Sequence, residues 1–147
     1  MSMRAIGALA AFLWATGGGV VPMPANAEDA RFGLCAELPY RTCVHNGDLI
    51  YLRGEPIRLS DVVSPDRYTA ECPAASNIAW YAAIRLRDLL NKGPFDVVEP
   101  EASVDASGEG LMRRLERNGV SLGDALIDQG LARRRSNEAV DWCAEGP

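Results

Sequence analysis

Two short stretches hold residues that could do chemistry together. One is Val44-His45-Asn46-Gly47-Asp48-Leu49-Ile50, which sets an acid on an Asn-Gly turn. The other is Pro56 to Asp66, which reads P-I-R-L-S-D-V-V-S-P-D and adds Arg58, Asp61 and Asp66. Carboxylates can hold a hard cation or orient water, and a guanidinium can neutralise phosphoryl oxygens. The combination suits an acid-rich site for phosphodiester cleavage on a small β-barrel. His45, the only histidine, titrates near neutral pH in the free state, yet it has no carboxylate at recognisable spacing. It is expected to be structural or merely exposed.

These residues must be positioned by short elements. Apolar residues flank Asn46-Gly47-Asp48 from Cys43 to Leu52, which predicts strand, turn and strand. Arg53 to Pro56 reads as the next turn. Ile57, Leu59, Val62 and Val63 then predict one further strand that ends before Ser64-Pro65-Asp66. In that strand Asp61 and Val63 would share a face. Pro73 to Leu90 is the main helix, with Pro73 in its first turn and Ala79, Ala82, Ala83, Leu86, Leu89 and Leu90 as its buried stripe. Asn91 to Pro94 ends it, and Trp80 and Tyr81 fit helix packing or surface.

Phe95 to Glu99 predicts a strand, 101–110 a polar loop, and Leu111 to Arg117 another strand. Arg113, Arg114 and Arg117 on it need not share a face. Asn118-Gly119 turns the chain. Ser121 caps a short helix, with Asp124 placed for a capping box and Gly130 closing the end. Arg133-Arg134-Arg135 reads as a solvated charge run at the start of a tail. Three strands, a helix, two strands and a helix do not make a βαβ sheet. The order predicts an α+β protein: a small five-stranded barrel of oligonucleotide-binding (OB) type with one long helix and one or two shorter ones.

The first 27 residues are set aside as a cleaved signal peptide. Arg4 is followed by an apolar run and then by Ala25-Asn26-Ala27, a small-residue cleavage site. The apolar run is too short and too broken by glycine for a stable membrane span. The expected layout is 1–27 leader, 28–42 N-terminal extension, 43–143 domain and 144–147 tail. The protein is then exported, periplasmic or secreted. Fifteen basic residues, one of them Arg4 in the leader, face twenty acids, leaving the remainder near −6. That balance argues against general polyanion binding, because phosphate contacts need cations.

Four cysteines follow the leader: Cys35, Cys43, Cys72 and Cys143. An even count in an exported domain predicts two disulfides, whereas a metal site lacks any C-x-x-C pair. Three pairings are open. Cys35–Cys43 as a short staple, with Cys72–Cys143 tying the tail back, is the favoured one.

With these stretches in view, the chain from about Cys43 to Cys143 resembles the staphylococcal-nuclease-like (thermonuclease) family, in its exported short form. The matching fragments are N-G-D at Asn46–Asp48, I-R-L at Ile57–Leu59, S-P-D at Ser64–Asp66, the D-x-x-G frame at Asp105–Gly108, Ser121–Arg133, and Trp142-Cys143. The resemblance implies an OB-type barrel with three helices. It also implies, for active members, calcium-dependent cleavage of DNA and RNA by two aspartates, a carbonyl, a glutamate base and two arginines.

Carried over residue by residue, the match is incomplete. Asp48 falls on the first metal-binding aspartate and Arg58 on the first phosphate-clamping arginine. Ser64 falls on the residue that lends its backbone carbonyl, and Asp66 on the glutamate base, one methylene shorter. Val63 falls on the second metal aspartate, Asn46 on a nearby acid and Leu49 on a hydroxyl residue. Glu109 stands where the second arginine belongs. Asp61 is the candidate substitute ligand, and Glu109 could join a rebuilt site. One carboxylate with neutral oxygens should hold calcium poorly, and an acid near a phosphate repels it.

The leading expectation is an exported thermonuclease-like domain that has lost its activity, has no cofactor, and serves as a structural or interaction domain. It would be a monomer with a protein partner of unknown identity. The alternatives are an active Ca2+-dependent nuclease and a non-catalytic nucleic-acid binder.

Overall fold

A computed structural model describes residues 27–99 and 111–144. Glu109, the Asp105–Gly108 frame and the expected leader up to Asn26 lie outside the described residues. The elements are β1 (Ala27–Glu28), β2 (Gly33–Leu34), β3 (Cys43–Asn46), β4 (Leu49–Leu52), β5 (Glu55–Leu59), β6 (Val62–Val63) and α1 (Pro73–Leu90). They are followed by β7 (Phe95–Val98), β8 (Leu111–Arg117), β9 (Val120–Ser121), α2 (Leu122–Asp128) and β10 (Arg133–Arg134). The fold is α+β. Its main sheet runs β1-β7-β8-β5-β4-β3-β2, with β9 on β8. The β5–β8 and β2–β3 pairs are parallel and the others antiparallel, so the sheet is mixed. Among the described residues this path has two ends, so its hydrogen bonds do not close it.

The β3–β4 turn sits at Gly47-Asp48, as the Asn-Gly signal predicts. The glycine is needed there for space. A Cβ on Gly47 would meet Ala82 Cβ at 2.5 Å and Ser64 Oγ at 2.7 Å. The turn therefore lies directly on α1 and on the segment after β6. The β4–β5 turn is tighter than expected: Arg53 and Gly54 both take positive φ, and Pro56 is already in β5.

The single strand expected over 57–63 is two. A bend at Ser60-Asp61 ends β5, and β6 leaves the main sheet to pair with β10. The period-two argument linking Asp61 to Val63 fails for that reason, since alternation needs continuous extended backbone.

Helix α1 spans the predicted residues. Cys72 is its N-cap and accepts from the Ala75 N–H, and Pro73 occupies the first turn. Ala79, Ala82, Ala83, Leu86, Leu89 and Leu90 are all buried, with Ala75 added to the stripe. Ala83, Leu86, Leu89 and Leu90 pack with Val44, Ile50, Leu59, Phe95, Leu115 and Leu126. Leu86 is fully buried, so Leu86→Ala should cost about 2–5 kcal/mol. Arg117 clasps the far end of α1 by donating to the Leu89, Gly93 and Pro94 carbonyls. Neighbouring Arg113 and Arg114 pair instead with Glu99 and Glu116.

Residues 28–42 are built into the fold. Strands β1 and β2 join the sheet, Phe32 enters the core, and the Asn91 side chain bonds both the N–H and the carbonyl of Phe32. The disulfides are Cys35–Cys43 and Cys72–Cys143, the favoured pairing. At the other end, α2 begins at the Ser121 cap. Its expected capping-box partner Asp124 pairs with Arg134. None of the helices among the described residues is long and apolar enough to cross a membrane.

Candidate functional site

The turn between β3 and β4 is the hub of the site. Strand β3 delivers Asn46, the turn delivers Asp48, β5 delivers Arg58, and the loop after β6 delivers Ser64 and Asp66. Asp48 is 2 % exposed. Its Oδ2 receives Arg58 Nη1 at 3.3 Å and Arg135 Nη2 at 3.3 Å. Its main-chain carbonyl accepts from the Leu59 N–H at 2.8 Å, which fixes the turn against the end of β5. Oδ1 is buried and has no hydrogen-bond partner among the described residues. Burial pushes the Asp48 carboxyl above the usual aspartate range, against the pull of Arg58 and Arg135.

Asp66 is held differently. Oδ2 accepts from Asn46 Nδ2 at 2.7 Å, and Oδ1 accepts from the N–H groups of Tyr68 and Thr69 at 2.7 and 3.1 Å. Partial burial works to raise its pKa. The bonds from Asn46, Tyr68 and Thr69, with the charge of His45, outweigh that and hold it below the usual range. A carboxylate stabilised in this way is ionised but is a weaker base than a free one. Asn46 meanwhile accepts from the Arg67 N–H at 3.2 Å. The residue expected to stand in for a lost acid is thus a buried strut between the hub and the Asp66 loop.

The remaining candidates separate from this hub. Val63 lies in β6 opposite Arg133. Asp61 Oδ2 accepts from Ser121 Oγ and lies 3.9 Å from Arg134, so its carboxylate serves the α2 cap. Ser64 is buried against Gly47, and its hydroxyl donates to the Pro65 carbonyl. His45 packs among Tyr40, Tyr51 and Tyr68, and burial lowers its pKa despite the nearby Asp66 charge. Trp80 is partly exposed, and the Arg67 guanidinium lies 4.6 Å from its ring centroid.

Arg135 is the site residue that sequence reasoning missed. The expected solvated run is ordered: Arg133 and Arg134 form β10, and Arg135 turns inward to Asp48. Three consecutive arginines carry no periodic signal. The alternation that sends Arg134 to Asp124 and Arg135 to Asp48 becomes visible only once β10 is known to pair with β6. A cleft of about 460 Å³ adjoins the site between Ser64–Asp66, Glu71 and the disulfide-held segment Val140–Cys143.

Chemically, the hub offers one carboxylate already matched by two guanidiniums. Calcium needs several oxygen ligands with compensating charge. Asp48 Oδ2 is taken, Val63 brings no oxygen from its side chain, and Asp61 is committed elsewhere. Among the described residues no group of three or more His, Cys, Asp or Glu side chains converges as a metal set. With Asp48 Oδ2 taken by two guanidiniums, the donors gathered among the described residues do not make a calcium set. No family model and no curated protein matches the chain.

Proposed function

We propose that the chain is an exported thermonuclease-like domain, on an OB-type barrel, that has lost calcium-dependent phosphodiesterase activity. It acts as a non-catalytic structural or interaction domain. The observation that carries this reading is the pairing of Asp48: both Arg58 and Arg135 close on its Oδ2 and supply the counter-charge that a metal would otherwise bring. A guanidinium pointed at the carboxylate neutralises the charge that would hold a cation. Arg58, spent on Asp48, is turned from the role of phosphate clamp. Asp66, bonded at both oxygens, is spent on its own loop. The motif order from Asn46 to Trp142 supports the lineage, and the two disulfides accord with export.

The test is cleavage of denatured DNA by purified, oxidised protein with millimolar calcium. The expected result is none, together with no saturable calcium uptake by calorimetry below about millimolar concentrations. A second reading, an active metal-dependent phosphodiesterase, draws on the gathering of Asp48, Arg58 and Asp66 about one turn. Calcium-dependent cutting that Asp48→Ala abolishes would establish that reading and overturn the first.

A further inference from the structure

We propose that Arg135 is the resident cation of the Asp48 pocket: its guanidinium fills an oxygen-lined position that would otherwise take a small external cation. The inference deepens the reading above and rests on it only for the contrast with calcium. Arg135 Nη2 donates to the Val62 carbonyl at 2.7 Å and to the Leu59 carbonyl at 3.0 Å, and it reaches Asp48 Oδ2 at 3.3 Å. Nε donates to the Leu59 carbonyl at 3.2 Å. One charged group therefore meets one carboxylate and two main-chain carbonyls. Oxygen sets of that kind are what hard cations take. The guanidinium meets these oxygens along one edge, through Nη2 with Nε beside it on the Leu59 carbonyl.

The backbone makes this placement specific. The Arg135 N–H donates to the Asp61 carbonyl at 2.9 Å, which extends the β10–β6 ladder by one residue. Leu59 and Val62 flank the Ser60-Asp61 bend, so their carbonyls belong to the break between β5 and β6. Arg135 thus spans the break and closes it. The acid it serves is buried, and a buried carboxylate is retained only when it is paired. An arginine supplies that charge permanently, whereas a bound metal supplies it only at sufficient concentration. The pocket accordingly stays closed in the presence of chelator.

A double-mutant cycle over Arg135→Ala and Asp48→Asn, read by urea unfolding in EDTA, tests the pairing. The expected coupling is at least ~10-fold in the folding equilibrium constant. Methylguanidinium chloride titrated into Arg135→Ala should then raise its melting temperature saturably. Wild type and the double variant should show no such rise, with sodium chloride as the ionic control. If Arg135→Ala does not fold, Arg135→Lys takes its place in the cycle, keeping charge and losing the fork. Additivity within about 2-fold, or rescue that survives Asp48→Asn, would overturn the inference. Calcium-dependent cutting by wild type would instead defeat the functional reading and leave the cycle untouched.

Discussion

Asp48 and Asp66 both attach to the Asn46-Gly47-Asp48 turn, yet one is met by opposite charge and the other by neutral donors. Asp48 is buried, faces two guanidiniums through one oxygen and leaves the other oxygen without a partner. Asp66 is partly exposed and receives one side-chain amide and two backbone N–H groups over both oxygens. Active phosphodiesterase sites need carboxylates with free lone pairs directed at a metal or a water. The first carboxylate has given its charge to arginines, and the second accepts three hydrogen bonds from Asn46 and its own loop. On the function proposed above, both are withdrawn from catalysis by different physics.

The largest expected effect separates the two directly. Asp48→Ala leaves Arg58 and Arg135 facing each other without their acid, and breaking a buried ion pair costs about 3–5 kcal/mol. Asp66→Ala removes hydrogen bonds at a partly solvated site and should cost about 1–3 kcal/mol. Urea unfolding at neutral pH measures both. Equal losses would break the distinction between a charge-held hub and a hydrogen-bonded loop.

Next in size is the tail staple. Cys72 caps α1 and joins Cys143, 71 residues on, and the held tail walls the cleft beside Asp66. Replacing both cysteines by serine should cost about 2–4 kcal/mol. Amide exchange should rise in Asp66–Thr69 and Val140–Cys143 and change little at Asp48. A rise centred on Asp48 would show that the two regions are one unit.

Asn46→Ala should follow, at about 1–3 kcal/mol, because it strips a donor from Asp66 and an acceptor from the Arg67 N–H. Its effect should not add to that of Asp66→Ala, since each deletes the same bond. Simple additivity would mean that the 2.7 Å contact contributes little.

Local pattern carried much of this architecture. Helix α1 falls on its predicted residues because eighteen residues of helical spacing state their own period, and strand β8 ends where predicted because the Asn118-Gly119 turn bounds it. The gathering of Asp48 and Arg58 was legible because the intervening hairpin fixes their register. The break at Ser60-Asp61 was not, because its cause is β10, some seventy residues later. Arg135 was missed for the same reason. Its acceptors, Leu59 and Val62, are main-chain carbonyls, and carbonyls have no signature in a sequence. Asn46 was weighed as a lost acid, whereas its partner Asp66 lies twenty residues on, across the loop that follows β6.

The smallest effect is the most discriminating, because only its sign matters. Asp66 has a folded pKa below the usual aspartate value of 3.8. Its contribution to stability is therefore present above that value and lost as pH falls through the folded pKa. Asp48 has a folded pKa above the usual value. Its contribution runs the other way, complete below the usual value and lost as pH rises through the folded pKa. Asp66→Asn should consequently flatten the acid limb of the stability profile relative to wild type. Asp48→Asn should steepen it, because the group that gains from acid is gone. Urea midpoints from pH 7 down to about pH 3, bracketing the usual aspartate range, decide the matter. Slopes that move in the same direction would mean that burial does not dominate at Asp48 and that its two arginines do. The pocket would then be a net stabilising ion triad, and the two carboxylates would differ in degree rather than in kind.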